Sequence, residues 1–186
     1  MRRHRLTAPL GGQDLSALRS GDSVLLSGAV HTARDAAHQR LAVLMDEGEP
    51  LPFDLEGAVI YYTGPSPAPP GHPLGSAGPT TSYRMDAFAP RLYASGMKAS
   101  IGKGRRSPEV LKAIREHGGL YLAATGGAGA LLGLCVQSAR VIAFPELGPE
   151  AVYELLIRDM PLLVVNDLHG GELYAPPDIS VIEELR

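Results

Sequence analysis

Short β-branched, aromatic and aliphatic runs alternate along this chain with alanine- and leucine-rich stretches that open on capping residues, and this alternation confines it to an α/β architecture. Residues 24–29, 58–62, 120–124, 141–144 and 162–165 have strand character. Residues 32–45, 80–95 and 149–158 have helical character. Ser107-Pro108-Glu109 starts a further helix with a cap, a proline at the first helical position and an acid in the first turn. Several connections are too short for helical crossovers, so the pattern predicts a mixed sheet, flanked by helices, with both parallel and antiparallel pairs. Residues 63–79 are crowded with proline and glycine, where neither regular element persists, and an ordered loop of that length points to function. Gly126-Gly127-Ala128-Gly129 predicts a turn into a closely packed helix. It lacks the G-x-G-x-x-G register of a dinucleotide loop, with an acid about 20 residues further on. Residues 170–186 read as a short edge segment and a surface end.

A chain of 186 residues with 45% hydrophobic content can bury one sizeable core, so residues 1–186 form a single expected domain. The net charge of -3 withholds the broad basic field that nucleic acid requires, and Arg2, Arg3 and Arg5 read as a solvated end. No stretch approaches the roughly 18 apolar residues of a membrane span. Neither nucleic acid nor membrane is therefore an expected partner. The single cysteine, Cys135, cannot form an internal disulfide or, unaided, a cysteine-held zinc or iron–sulfur site, and the six histidines show no metal-ligand spacing. No metal or cofactor is expected on this chain. Cysteine usage and the lack of a leader-like N-terminus make a cytoplasmic setting the expectation.

Three segments carry the chemistry: T-A-R-D-A-A-H-Q-R around Arg34, G-P-T-T-S-Y-R-M-D around Arg84, and I-G-K-G-R-R around Lys103. Each sets a cation beside small or hydroxylic residues where an apolar run ends. If Thr80 opens a helix, Arg84 lies one turn on and on the same face, and the free amides of that helix start add donors for an anion. Arg34 offers a second, two-pronged donor set, and Lys103 a point charge between two glycines. Two arginines and a lysine complement a small dicarboxylate. Taken singly, Arg34 and Arg84 also fit structural pairs with the adjacent Asp35 and Asp86. His31 and His38 flank Arg34 and are candidate lining residues.

These segments, with T-G-G-A-G-A-L-L, E-L-G-P-E-A-V and P-L-L-V-V-N-D in the same order, resemble the β subunit, or C-terminal domain, of class I fumarate hydratases and the related L-tartrate dehydratases. The resemblance runs from about Leu6 to Tyr174. It implies a swivelling β/β/α fold and an active site shared with an α subunit, whose three cysteines hold a 4Fe-4S cluster with an iron that acts as a Lewis acid on the departing hydroxyl. It also implies that Arg34, Arg84 and Lys103 bind the substrate carboxylates, that Thr80 removes the C3 proton, and that Thr81 orients the substrate. A threonine hydroxyl is too weak a base unaided, and the resemblance assigns its activation to an aspartate of the α subunit, with Asp86 as a local alternative. The implied activity is reversible hydration of fumarate to malate, absent without the α subunit. L-tartrate dehydration to oxaloacetate and a methylated fumarate are the neighbouring substrate readings. A non-catalytic dicarboxylate-binding or regulatory domain, and a nucleotide-dependent enzyme using the glycine turn, are the readings from other classes. Half a site also implies a surface made for a partner, apolar enough to form a homodimer when the chain is isolated.

Overall fold

The computed structural model describes residues 2–174. The chain forms β1 (Arg3–Ala8), α1 (Gly12–Ser16), β2 (Ser23–Thr32), α2 (Asp35–Glu47), β3 (Val59–Tyr61) and then, after the long loop, a 3-10 turn (Ser82–Met85) leading into α3 (Ala89–Ala94). It continues through β4 (Ala99–Gly102), α4 (Pro108–Glu116), β5 (Leu120–Ala123), α5 (Gly129–Leu134), β6 (Val136–Ala143), a second 3-10 turn (Pro145–Glu150) and β7 (Val152–Asn166). The expected mixed sheet flanked by helices is present.

Strands β2, β3, β4 and β5 run parallel in that order, and β7, antiparallel to both β5 and β2, closes them into a small barrel. β1 extends one edge beside the first half of β2, and β6 extends the other beside the first half of β7. Alternation on β3, β4 and β5 divides two cores. Val59, Tyr61, Ala99, Ile101, Leu120 and Leu122 fill the barrel, whereas Ile60, Tyr62 and Tyr121 lie under α2, α3 and α4. Both faces of these strands are covered, as parallel strands require.

Two expected elements differ. Residues 149–158 have helix-forming composition but belong mostly to β7, because Leu155 and Ile157 must face the barrel. The buried set then shifts parity to Met160, Leu162 and Val164 across a bulge at Arg158 and Asp159, opposite the register break between Leu26 and Gly28. One extra residue there keeps apolar side chains inward on both sides of the break. Residues 80–95 are extended at Thr80 and Thr81 and become α-helical only from Ala89. β1, α1 and β4 carried no distinct signal. Glu172 bridges Asn166, and residues 175–186 of the expected edge segment and surface end lie outside the described residues.

The glycine turn leads into a tightly packed helix, as expected. Gly129 lies against Gly78, and any side chain on Gly133 would collide with the Gly75 carbonyl. Among the described residues no helix is long and apolar enough to cross a membrane.

His38, buried in α2, shares hydrogen-bond distance with the Arg34 carbonyl through Nδ1 at 2.9 Å and packs against Tyr62 and Phe88. Burial, which disfavours the imidazolium, pulls its pKa down to about 4. The unfolded chain takes up this proton near pH 6.5 and the folded chain only near 4, so stability is lost as pH falls through that window, by about 3 kcal/mol in all. We expect His38→Leu to flatten the acid side of the melting-temperature profile between those values relative to wild type, as read by thermal unfolding.

Candidate functional site

The C-terminal ends of the parallel strands supply the site, the place where open α/β sheets put ligands. β2 ends at Thr32 and passes through Ala33 to Arg34, which caps α2 with extended backbone at φ -118°. β4 ends at Gly102 and delivers Lys103. Between the ends of β3 and β4 the chain returns from the long loop. The Thr80 amide donates to the Tyr62 carbonyl at 2.6 Å, the Lys103 amide to the Thr80 carbonyl at 3.2 Å, and the Ser82 amide to the Lys103 carbonyl at 2.8 Å. Thr80 and Thr81 are thus wedged as an extra strand-like step beside Lys103, with Thr81 bridged to it in parallel. The loop's return limb is pinned by the Tyr61 hydroxyl on the Ala77 carbonyl and by Thr63 Oγ1 on the Gly78 carbonyl at 2.8 Å.

This differs from the expected helix face. Thr80 does not open a helix, and its amide and that of Ser82 are spent on neighbouring carbonyls rather than left for an anion. Thr80 and Arg84 are brought to the same sheet end by extended residues and a following 3-10 turn.

Each cation has a distinct environment. Arg84 is held in a fork on Asp35, with Nε–Oδ1 at 3.0 Å and Nη2–Oδ2 at 2.7 Å, and its side chain is 41% exposed. Arg34 is more enclosed, 3.4 Å from Glu150, and its Nε is buried without a partner. Its side chain fills the space beside Gly64, where a methyl group would stand 2.8 Å from Nη1. Lys103, half-buried, forms no ion pair among the described residues, and its stem passes beside Gly126. The Thr80 and Thr81 hydroxyls engage no hydrogen-bond partner among the described residues. The site end therefore carries one uncommitted ammonium, two steered guanidiniums and two available hydroxyls.

The expected neighbour pairs are crossed: Asp35 takes Arg84 rather than Arg34, and Asp86 takes Arg106 rather than Arg84. Asp86 accepts from Arg106 Nε and from the Ser107 amide, both at 2.6 Å, so it is a structural anion and not a base beside Thr80. His31 is also displaced from the site. Its ring stacks on Phe53 with centroids 4.0 Å apart and lines a separate hollow of about 620 Å³ with Glu154 and Arg140; none of the three site cations lines that hollow. His38 is a core residue. Burial pushes the Cys135 thiol pKa up, which suits packing rather than reactivity.

Three supporting residues escaped the sequence reading. Glu150 contacts Arg34 and accepts from the Ala36 amide at 2.9 Å, so one carboxylate both caps α2 and steers an arginine. It stood within the E-L-G-P-E-A-V segment, where the expected helix concealed its part. Asp35 was weighed only as a partner for its neighbour. Arg106, whose side chain is fully buried, lies between the Tyr62 and Tyr121 rings, 5.3 and 4.9 Å from their centroids, and also donates to Ser100 Oγ at 2.7 Å. It ties the turn carrying Arg84 to the loop carrying Lys103.

Comparison with known proteins places the chain in a family. Residues 1–176 match the family model described as Fumarase C-terminus. Fumarate hydratase 2 of Leishmania major is 40% identical over 88% of this chain and 29% of its own length. The aerobic class I fumarate hydratase of Escherichia coli K12 is 38% identical over 80% of this chain and 28% of its own. A candidate L(+)-tartrate dehydratase subunit beta of Methanocaldococcus jannaschii is 39% identical over 93% of this chain and 92% of its own. This chain thus spans about three tenths of the fumarate hydratases and nearly all of the archaeal subunit. With a family match over nearly its whole length and a relative of almost equal extent, the chain belongs to the fumarase C-terminus family.

Proposed function

We propose that this chain is the β half of a cytoplasmic hydro-lyase that reversibly adds water to fumarate to give malate, completing its site with an α subunit. The observation that supports the reading is that Arg34, Lys103 and the Thr80–Arg84 segment all lie at the same end of the parallel strands, with Thr81 bridged to Lys103 and Arg84 held on Asp35 next to Arg34. Two carboxylates of a four-carbon acid match two guanidiniums and an ammonium in charge and reach. In the dehydration direction Thr80 Oγ1 takes the proton from C3 while the hydroxyl leaves C2, so the atoms of one water depart and the double bond forms. Thr80 needs an activating base, and with Asp86 committed to Arg106 that base is assigned to the α subunit.

The 4Fe-4S cluster belongs to the same reading as a Lewis acid for the departing hydroxyl. This chain's residues do not fit it: there is one cysteine, and the described residues contain no group of three His, Cys, Asp or Glu able to hold a metal. The cluster is therefore assigned to the α subunit.

L-tartrate dehydration is the second reading, favoured by the extent of the match to the archaeal subunit. Anaerobic assembly with the α subunit, followed by assay on fumarate, malate and L-tartrate, tests both. Turnover of at least one diacid by the pair, and of none by either subunit alone, is expected. Tight diacid binding by this chain alone, with no turnover by the pair, would instead support a binding or regulatory domain.

Asp35 aims Arg84, so Asp35→Asn is expected to raise KM about tenfold while changing kcat less, because a misaimed guanidinium weakens capture before it touches chemistry. Steady-state kinetics of the assembled pair checks this.

A further inference from the structure

We infer that the outer face of α5 is the surface on which the cluster-bearing α polypeptide docks; this rests on the half-site reading above. Among the described residues the three most exposed large apolar side chains are Leu131 at 67%, Tyr83 at 66% and Leu134 at 64%, and the next, Val43, falls to 49%. All three follow the site end of the sheet. Tyr83 stands in the 3-10 turn immediately before Arg84, and α5 begins just beyond the Gly126 turn that flanks Lys103.

The helix is fixed in place, so its exposed leucines form a preset surface. The Ala77 amide donates to the Gly129 carbonyl at 2.9 Å, and Leu132 and Gly133 are buried against the long loop. Leu131 and Leu134, three residues apart, consequently share the outward side. Beside Leu134 lies a hollow of about 180 Å³, partly lined by Pro69, His72 and Leu74, which can accept an apolar anchor. Apolar groups at the centre and charged groups at the margin are the composition of a protein interface. Here Lys103, whose stem passes beside Gly126 in the turn before α5, stands at the margin.

The occupant follows from the relatives. The same unit occurs as about three tenths of a long chain and as nearly the whole of a short one. A face that meets the remaining polypeptide must serve the fused and the separate arrangement alike, and it must border the site that both parts complete. The α5 face does so.

The test uses the anaerobically assembled pair carrying Leu131→Asp, Leu134→Asp or, as a control on α2, Val43→Asp. Association measured by sedimentation velocity is expected to weaken at least tenfold for each leucine variant and to stay within twofold for the control, with turnover restored at saturating α subunit. Should a leucine variant fold poorly alone, hydrogen exchange in the wild-type pair decides: slowed exchange across residues 129–134 on adding the α subunit is expected, and unchanged exchange overturns the assignment. Unaltered association of both leucine variants in a pair active on fumarate overturns the docking surface and leaves the activity standing. Weakened association in a pair inactive on every diacid supports the surface and overturns the activity. Loss of a homodimer, with α binding intact, also overturns the assignment.

Discussion

In the assembled enzyme Thr80→Val is expected to cut turnover by about 10³-fold while leaving diacid affinity nearly unchanged. Valine matches threonine in shape, and the Thr80 backbone bonds to Tyr62 and Lys103 do not involve the side chain, so the wedge between β3 and β4 persists. Only the oxygen that the proposed mechanism assigns to the C3 proton is lost. Single-turnover kinetics beside an equilibrium titration with a non-reacting diacid separates the two effects. Equal losses in binding and rate would make Thr80 a positioning group, and an undiminished rate would remove it from the mechanism.

The second large effect concerns stability. Arg106→Leu is expected to destabilise the fold by about 3–5 kcal/mol, because removing one partner of a buried pair strands the other. Asp86 would keep only the Ser107 amide, and Ser100 Oγ and the Tyr62 hydroxyl would each lose a donor. Arg106→Leu combined with Asp86→Asn should recover part of the loss, since no carboxylate is then left without its counter-ion. Denaturant unfolding of the single and double variants reads the difference. A single variant as stable as wild type would show that the guanidinium is not holding the two site loops together.

In the parallel half β3 and β5 were legible because they are buried apolar runs, and α4 because Ser107 caps it, accepting from the Val110 amide at 3.4 Å, whereas β4, Ala-Ser-Ile-Gly, is too short and too poor in large apolar side chains to stand out. The second half of β7 was legible at 162–165 but its first half was not, because the bulge at Arg158–Asp159 interrupts the alternation that identifies a strand, and the glutamate and leucines before it favour helix locally. Long-range pairing with β2 and β6 outweighs that preference. At the site, the three cations could be picked from their settings at the ends of apolar runs, but their carboxylate partners could not. Asp35 reaches Arg84 across 49 residues and Glu150 reaches Arg34 across more than a hundred, and spacing carries no trace of such contacts. His31 shows the same limit in reverse: three residues from Arg34 in sequence, it belongs to the Phe53 hollow on another part of the surface. The likeness to class I fumarate hydratases implied roles for those residues but not their carboxylate partners. The crossed pairing of Asp35 and Asp86 required coordinates.

The structure of the anaerobically assembled pair with bound malate or L-tartrate tests the central claim most directly. Both carboxylates are expected within ion-pair distance of Arg34, Arg84 and Lys103, with C3 facing Thr80 Oγ1 and the α subunit covering the open side. A diacid held elsewhere, with those three cations turned to solvent, would contradict the account.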